Sequence, residues 1–189
     1  FHAALLCSQF SHLPCGIEND DCFVNVKNIQ VSKLGSNFDL VIDGKTTSCS
    51  TKLIGKHNIE DIALACGIAY KLGVSLSQIK SAILTLKPVA NRMEIIEENG
   101  FTIIDNSYNS SVESSSSSLE TLSLFDGNKI VVTPGLVELG DIQEKENTNF
   151  GKKLAQIANK VIIVNVTNKQ ALLNGLKQGE FNDDNILFA

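Results

Sequence analysis

From residue 101 onward, short apolar runs take turns with amphipathic stretches, and this alternation limits the possible folds more than any other feature of the chain. The runs are FTIID (101–105), KIVVT (129–133), VIIVN (161–165) and NILFA (185–189). Between them, periodic apolar positions predict helices from about Val112 to Phe125, Glu144 to Asn159 and Lys169 to Gln178. Strands this short and apolar, separated by helices, predict a parallel sheet covered by helices. The serine run Ser114–Ser118 reads as the start of the first helix. Leu119, Leu122 and Phe125 follow it at helical spacing, and hydroxyls can satisfy the free N–H groups of a first turn. The last run reads as a strand, so a doubly wound domain is expected to continue past Ala189.

The first half has a different texture. Between Cys22 and Leu53, the stretches CFVNVKNIQV, NFDLVID and TTSCSTKLI are rich in β-branched and aromatic residues, with Asp43-Gly44 as a hairpin turn between two of them. After Gly55 the apolar residues Ile59, Ile62, Ala63, Cys66, Ala69 and Tyr70 fall on one helical face. A second helix starts at Ser75 with Gln78 completing a capping box, and Pro88 ends it. The segment Lys87–Arg92 is an expected joint, giving two domains of residues 1–90 and 91–189.

Composition excludes several classes. At 43% hydrophobic and 20% charged residues the chain should bury an ordinary core. Its net charge of -5, with scattered Lys and Arg, offers no footprint for nucleic acid. No apolar run approaches the roughly 20 residues of a membrane helix. Phe1–Phe10 lacks the features of a signal peptide, so a cytoplasmic location is expected, and a start at Phe1 reads as a cut from something longer. Cys7, Cys15, Cys22, Cys49 and Cys66 contain no C-x-x-C pair and form no ligand spacing with His2, His12 or His57, so they read as reduced thiols.

Three segments could carry chemistry besides one decoy. Gly44-Lys45-Thr46 imitates the end of a P-loop, but Asp39 stands where that motif needs its first glycine and strand-like residues follow, so it reads as a turn. Gly55-Lys56-His57-Asn58 heads a helix. Asn58 or His57 could cap that helix, or the Asn58 amide could read an adenine edge by donating and accepting together; the residues alone leave both open. The remaining two segments are Asn91-Arg92-Met93-Glu94 and Ile104–Ser114. The second runs from a strand end through a polar loop into a helix start, where open α/β sheets place ligands, although NSYNSS is also good turn chemistry.

Taken in chain order, these segments resemble the Mur ligase family over roughly residues 20–180. GKHNIEDIALACGIAYKLG is similar to the G-x-H-N helix late in that family's central ATPase domain, and PVANRME to its Arg-containing junction. IIDNSYNSSVESS is similar to the D-D-S-Y-N-A-N-P-D-S opening of the carboxyl-terminal domain in the D-alanyl-D-alanine-adding branch, and PGLVELGD to that branch's G-D-M-x-E-L-G segment. The resemblance implies an α/β chain comprising the end of a P-loop-type ATPase domain followed by an incomplete Rossmann-like, parallel-sheet domain. It also implies an ATP- and Mg2+-dependent ligase of bacterial cell-wall (peptidoglycan) synthesis, acting as a monomer on a UDP-muramoyl-peptide and D-alanyl-D-alanine.

By motif match, His57, Asn58, Asp61, Arg92, Asp105 and Asn106 would contact the nucleotide, with Arg92 and Asn106 also catalytic. Ser107, Tyr108, Asn109, Ser111 and Glu138 would contact substrate, and no metal ligand falls in the chain. Departures from the family pattern are Asp61 in place of a second Asn, Asn106 in place of a second acid, and Ser111-Val112-Glu113-Ser114 in place of N-P-D-S. The P-loop is absent, so the chain alone is expected to be inactive. Alternatives are another branch, such as a folate glutamyl ligase or a different cell-wall amino-acid ligase, and a non-catalytic binding module of the same fold.

Overall fold

The computed structural model describes residues 12–108 and 111–189, so Cys7, Asn109 and Ser110 lie outside the described residues. The chain divides into two compact units, 1–88 and 89–189.

The first unit is built on a four-stranded sheet, in spatial order β1 (Cys15–Ile17), β2 (Val24–Ser32), β3 (Gly35–Ile42) and β4 (Lys45–Thr51). β2, β3 and β4 form an antiparallel meander, in register at Val24 with Ile42 and at Ile42 with Lys45. Alternation sets the buried face: Val24 and Val26 on β2 and Phe38, Leu40 and Ile42 on β3 all point into the core. Asp43 and Gly44 take φ of 51° and 71°, the left-handed pair that a two-residue hairpin requires. β1 is an addition to the expected strands and runs parallel to β2. Two helices, α1 (Lys56–Lys71) and α2 (Leu76–Thr85), close the core with Ile59, Ile62, Ala63, Ile79 and Ile83. The capping box at α2 forms: Gln78 N–H donates to Ser75 Oγ, and Ser75 N–H to Gln78 Oε1. Burial in this core pushes the Cys66 thiol up to about 11, consistent with an unreactive packed cysteine.

The second unit opens with a hairpin that the sequence reading did not resolve. β5 (Glu94–Glu98) pairs antiparallel with β6 (Phe101–Asp105) through Asn99 and Gly100, at φ 51° and 82°. FTIID was expected among the parallel strands, and this pairing corrects that expectation. The Asn-Gly turn makes a local partner available at much lower loop-closure entropy than a distant strand. The parallel sheet consists of β7 (Ile130–Thr133), β8 (Lys160–Ile163) and β9 (Ile186–Phe188), with β8 central. α3 (Val112–Ser123), α4 (Gln143–Ile157, entered through a 3-10 turn at Gly140–Ile142) and α5 (Lys169–Gln178) supply Leu119, Phe150, Leu154, Leu172 and Leu176 to one core with Val161 and Ile163. The other face of β7 leaves Ile130 and Val132 exposed. The serine run is helical as expected, with Ser111 as the N-cap accepting from Ser114 N–H at 3.1 Å. Among the described residues, no helix is long and apolar enough to cross a membrane.

Candidate functional site

At the end of β6 the chain turns through Asp105, Asn106, Ser107 and Tyr108 before α3. The Asp105 carboxylate accepts from Ser107 N–H at 3.0 Å and from the Asn91 amide at 2.7 Å. Tyr108 N–H in turn donates to Asn91 O at 3.1 Å, and the Arg92 guanidinium stacks over the Tyr108 ring at 4.3 Å. Two segments that were separate in the sequence reading therefore meet, and Asn91 is their junction. Asn91 was missed as a site residue. Its only signal was a place beside Arg92 in a turn, since its φ of 61° is a conformation asparagine tolerates better than most residues.

Hydrogen bonds from Ser107, side chain first and then amide, and from Asn91 hold the Asp105 carboxyl below the usual carboxylate range. Because the folded value lies below the unfolded one, what this carboxylate contributes to the turn is fully present above about 3.9 and is lost as pH falls through the folded value. In an NMR carboxyl titration the Asp105 midpoint is expected below about 3.9, and Asn91→Ala should raise it. A midpoint unchanged by that substitution would mean the Asn91 bond does not order the turn.

Asn106 turns the other way. Its amide donates to Ser114 Oγ and Ser118 Oγ, both at 2.8 Å, tying the loop to the first turns of α3. Ser107 and Tyr108 are exposed, and Ser111 is occupied as the cap.

In the first unit, neither His57 nor Asn58 caps α1, which corrects the capping alternative. Gly55 is the N-cap and provides no side chain, and both residues sit inside the first turn. The His57 ring folds back over Gly55, 2.7 Å from where a Cβ would stand, and Gly55 takes φ 102°, a conformation that favours glycine. The Asn58 amide donates to Ile54 O at 2.8 Å and lies 3.1 Å from His57 Nε2, which leaves Oδ1 as its outward-acting group. Asp61 is exposed on α1. Among the described residues, no three His, Cys, Asp or Glu side chains are grouped to hold a metal ion.

Glu138 is exposed in the loop after β7, at φ 62°, while Leu136 beside it is 1% exposed and packs in the core. Two asparagines, Asn147 (0% exposed) and Asn168 (4%), bond this loop's backbone.

No family model matches the chain. Curated relatives include the UDP-N-acetylmuramoyl-tripeptide–D-alanyl-D-alanine ligase of Escherichia coli (strain K12), 29% identical over 66% of this chain and 28% of that protein. The ligase of the same name from Buchnera aphidicola (subsp. Acyrthosiphon pisum) is 32% identical over 60% of this chain and 25% of its own length. The chain thus spans about a quarter of the curated relatives it matches. Shorter matches reach enzymes with other names, including the UDP-N-acetylmuramoyl-L-alanyl-D-glutamate–2,6-diaminopimelate ligase of Halalkalibacterium halodurans, 33% identical over 47% of this chain and 18% of that one. Among solved structures, one of MurF from Acinetobacter baumannii superimposes with a TM-score of 0.83 at 22% identity, covering 98% of this chain and 40% of that one; it speaks for the fold.

Proposed function

We propose, from the premise that the chain belongs to the Mur ligase family, that it is part of an ATP-dependent ligase adding D-alanyl-D-alanine to UDP-N-acetylmuramoyl-tripeptide in peptidoglycan precursor synthesis. The observation that carries this reading is the junction of Asn91-Arg92 with Asp105-Asn106-Ser107-Tyr108. It brings together two of the segments that carry the family resemblance. Residues 1–90 are read as the end of the central ATPase domain and 91–189 as the carboxyl-terminal domain. The P-loop and the groups that hold Mg2+ then lie in parts of the protein outside these residues.

In the reaction so assigned, a substrate carboxylate takes the terminal phosphoryl group of ATP, with ADP leaving. The incoming amine then attacks the acyl phosphate, an amide bond forms, and phosphate departs with the proton taken up by base or solvent. Bound Mg2+ supplies charge neutralisation of the phosphates. The chain's own residues position and stabilise. Arg92, its guanidinium over the Tyr108 ring, faces developing phosphate charge. Asn58 accepts from an adenine amino group through Oδ1. Asp105 and Asn106 fix the turn, and Ser107, Tyr108 and Ser111 border the substrate.

The match to a diaminopimelate ligase favours a second reading, another branch of the same family. Purified full-length protein, given ATP, Mg2+ and UDP-muramoyl-tripeptide, should release ADP in step with amide formation when D-alanyl-D-alanine is the amine. It should do so poorly with L-alanine or with D-glutamate. With UDP-muramoyl-dipeptide and diaminopimelate, a higher rate would select the second reading. No ligation with any acceptor and amine would reject both. The 189-residue chain alone should release no phosphate above background.

A further inference from the structure

The loop between β7 and α4 is held by side-chain amides. Leu136 N–H donates to Asn147 Oδ1 at 2.7 Å, and Asn147 Nδ2 returns bonds to Leu136 O and Gln143 O, both at 2.8 Å. Asn168 Nδ2 reaches Leu136 O at 3.0 Å and Pro134 O at 3.3 Å, while its Oδ1 accepts from Gln143 Nε2 at 3.0 Å. Gln143 Oε1 accepts from Leu139 N–H at 3.4 Å. Three amides from α4 and the start of α5 thus close a network around the backbone of residues 134–139. A Cβ at Gly135 would stand 2.5 Å from Asn147 Oδ1 and 2.7 Å from Asn168 Cβ, so the glycine lets the two asparagines approach.

Buried amides left with unmet hydrogen bonds are costly, and here both asparagines direct two of their three bonds to one loop. Leu136 anchors the loop in the core, whereas Val137 and Glu138 on its crest are exposed. Glu138 is also held at a positive φ, a conformation maintained against its own strain. The loop leaves the carboxyl end of a parallel strand, the edge where such sheets bind ligands. An exposed anionic residue with an exposed apolar residue next to it in sequence suits a small primary ammonium carrying an adjacent methyl group.

We propose that Gln143, Asn147 and Asn168 are positioning residues that hold the 134–139 loop in its binding shape before the amine substrate arrives, so that Glu138 meets the ammonium and Val137 the methyl group. This rests on the ligase reading above. A preformed loop avoids the ordering entropy that binding would otherwise require, so its loss should weaken uniform binding of the amine.

The test compares full-length protein with its Asn147→Ala and Asn168→Ala variants, each alone and combined with Glu138→Gln. The KM for the amine should rise about tenfold, kcat at saturation should change less than about threefold, and the KM for ATP should stay within about twofold. On the Glu138→Gln background the same substitutions should have clearly smaller effects, because they act through Glu138. The Leu136 amide should also exchange with solvent faster in both variants. Equal changes in the KM values for ATP and amine, a fall in kcat that merely tracks the folded fraction, effects that multiply with Glu138→Gln, or unchanged Leu136 exchange would each overturn the proposal. The amines tried are D-alanyl-D-alanine, L-alanine, D-glutamate and diaminopimelate. If one of the other three is the substrate, the assignment to D-alanyl-D-alanine fails while the KM split for that amine still decides the role of the clamp. Ligation of none overturns both.

Discussion

Replacing Gly175 by alanine is expected to lower the stability of the second unit by about 2 kcal/mol or more, although alanine is the better helix former. Gly175 lies in α5 against Gly151 of α4. A Cβ added to it would stand 2.1 Å from Thr148 O and 2.8 Å from Gly151 Cα. A Cβ on Gly151 would likewise meet Leu172 O at 2.5 Å. Both obstructing groups are backbone, so no side-chain rotation can relieve the contact and the helices must separate. Propensity returns at most about 1 kcal/mol, whereas overpacking commonly costs about 1–3 kcal/mol and more when the backbone has to move. Separation would also loosen Leu154, Leu172 and Leu176, which are fully buried around this crossing. The melting temperature of this unit should fall by roughly 8–15 °C. A Gly175→Ala protein that melts at or above the wild-type temperature would show that the helices are not in such close contact.

Arg92→Ala should do the opposite, removing activity while sparing the fold. In the full-length ligase, turnover is expected to drop at least about 100-fold, the scale on which loss of a group facing transition-state charge is usually felt. Stability should hardly change, because Arg92 is exposed and its stacking on Tyr108 contributes only about 0.5–1 kcal/mol. Arg92→Lys keeps the charge but not the planar fork, so it should recover only part of the rate. Comparing turnover with melting temperature separates these effects. Wild-type turnover in a normally stable Arg92→Ala protein would remove Arg92 from the site.

What the sequence made legible was mostly local. Asp43-Gly44, the Ser75/Gln78 box and the apolar faces of α1, α4 and α5 each carry their signal within a few residues, and each forms as read. Asn99-Gly100 is an equally local hairpin signal that was overlooked. Reading FTIID by its apolar run alone assigned it to the parallel sheet, when its partner lay just upstream at Glu94–Glu98. The reading of Asn58 as a possible cap failed because asparagine's preference for that position does not reveal that Gly55 already occupies it, with the Asn58 amide bonded back to Ile54. The Arg92–Tyr108 stacking, the Asn91–Asp105 bond and the contacts of Asn147 and Asn168 with Leu136 join residues 11 to 32 positions apart. No periodicity marks such pairs, since only the folded backbone brings them together. Resemblance pointed to Arg92, Asp105 and Glu138, whereas the bond of Asn91 to Asp105 and those of Asn147 and Asn168 to the Leu136 backbone emerged only from the geometry.

The central claim is that the turn from Asp105 into α3 and the loop at Leu136–Gly140 receive the amine substrate. Titrating the isotope-labelled chain with D-alanyl-D-alanine while following backbone amide shifts tests it most directly. Affinity should be weak, because a helix N-terminus favours a carboxylate by only about 0.3–1 kcal/mol. Even so, the largest shifts should fall on residues 105–108, 111–114 and 136–140, and L-alanyl-L-alanine should produce smaller ones. If the largest shifts instead lie in the first unit, or along the exposed side of α4 at Glu144, Thr148 and Lys152, the site has been assigned to the wrong residues.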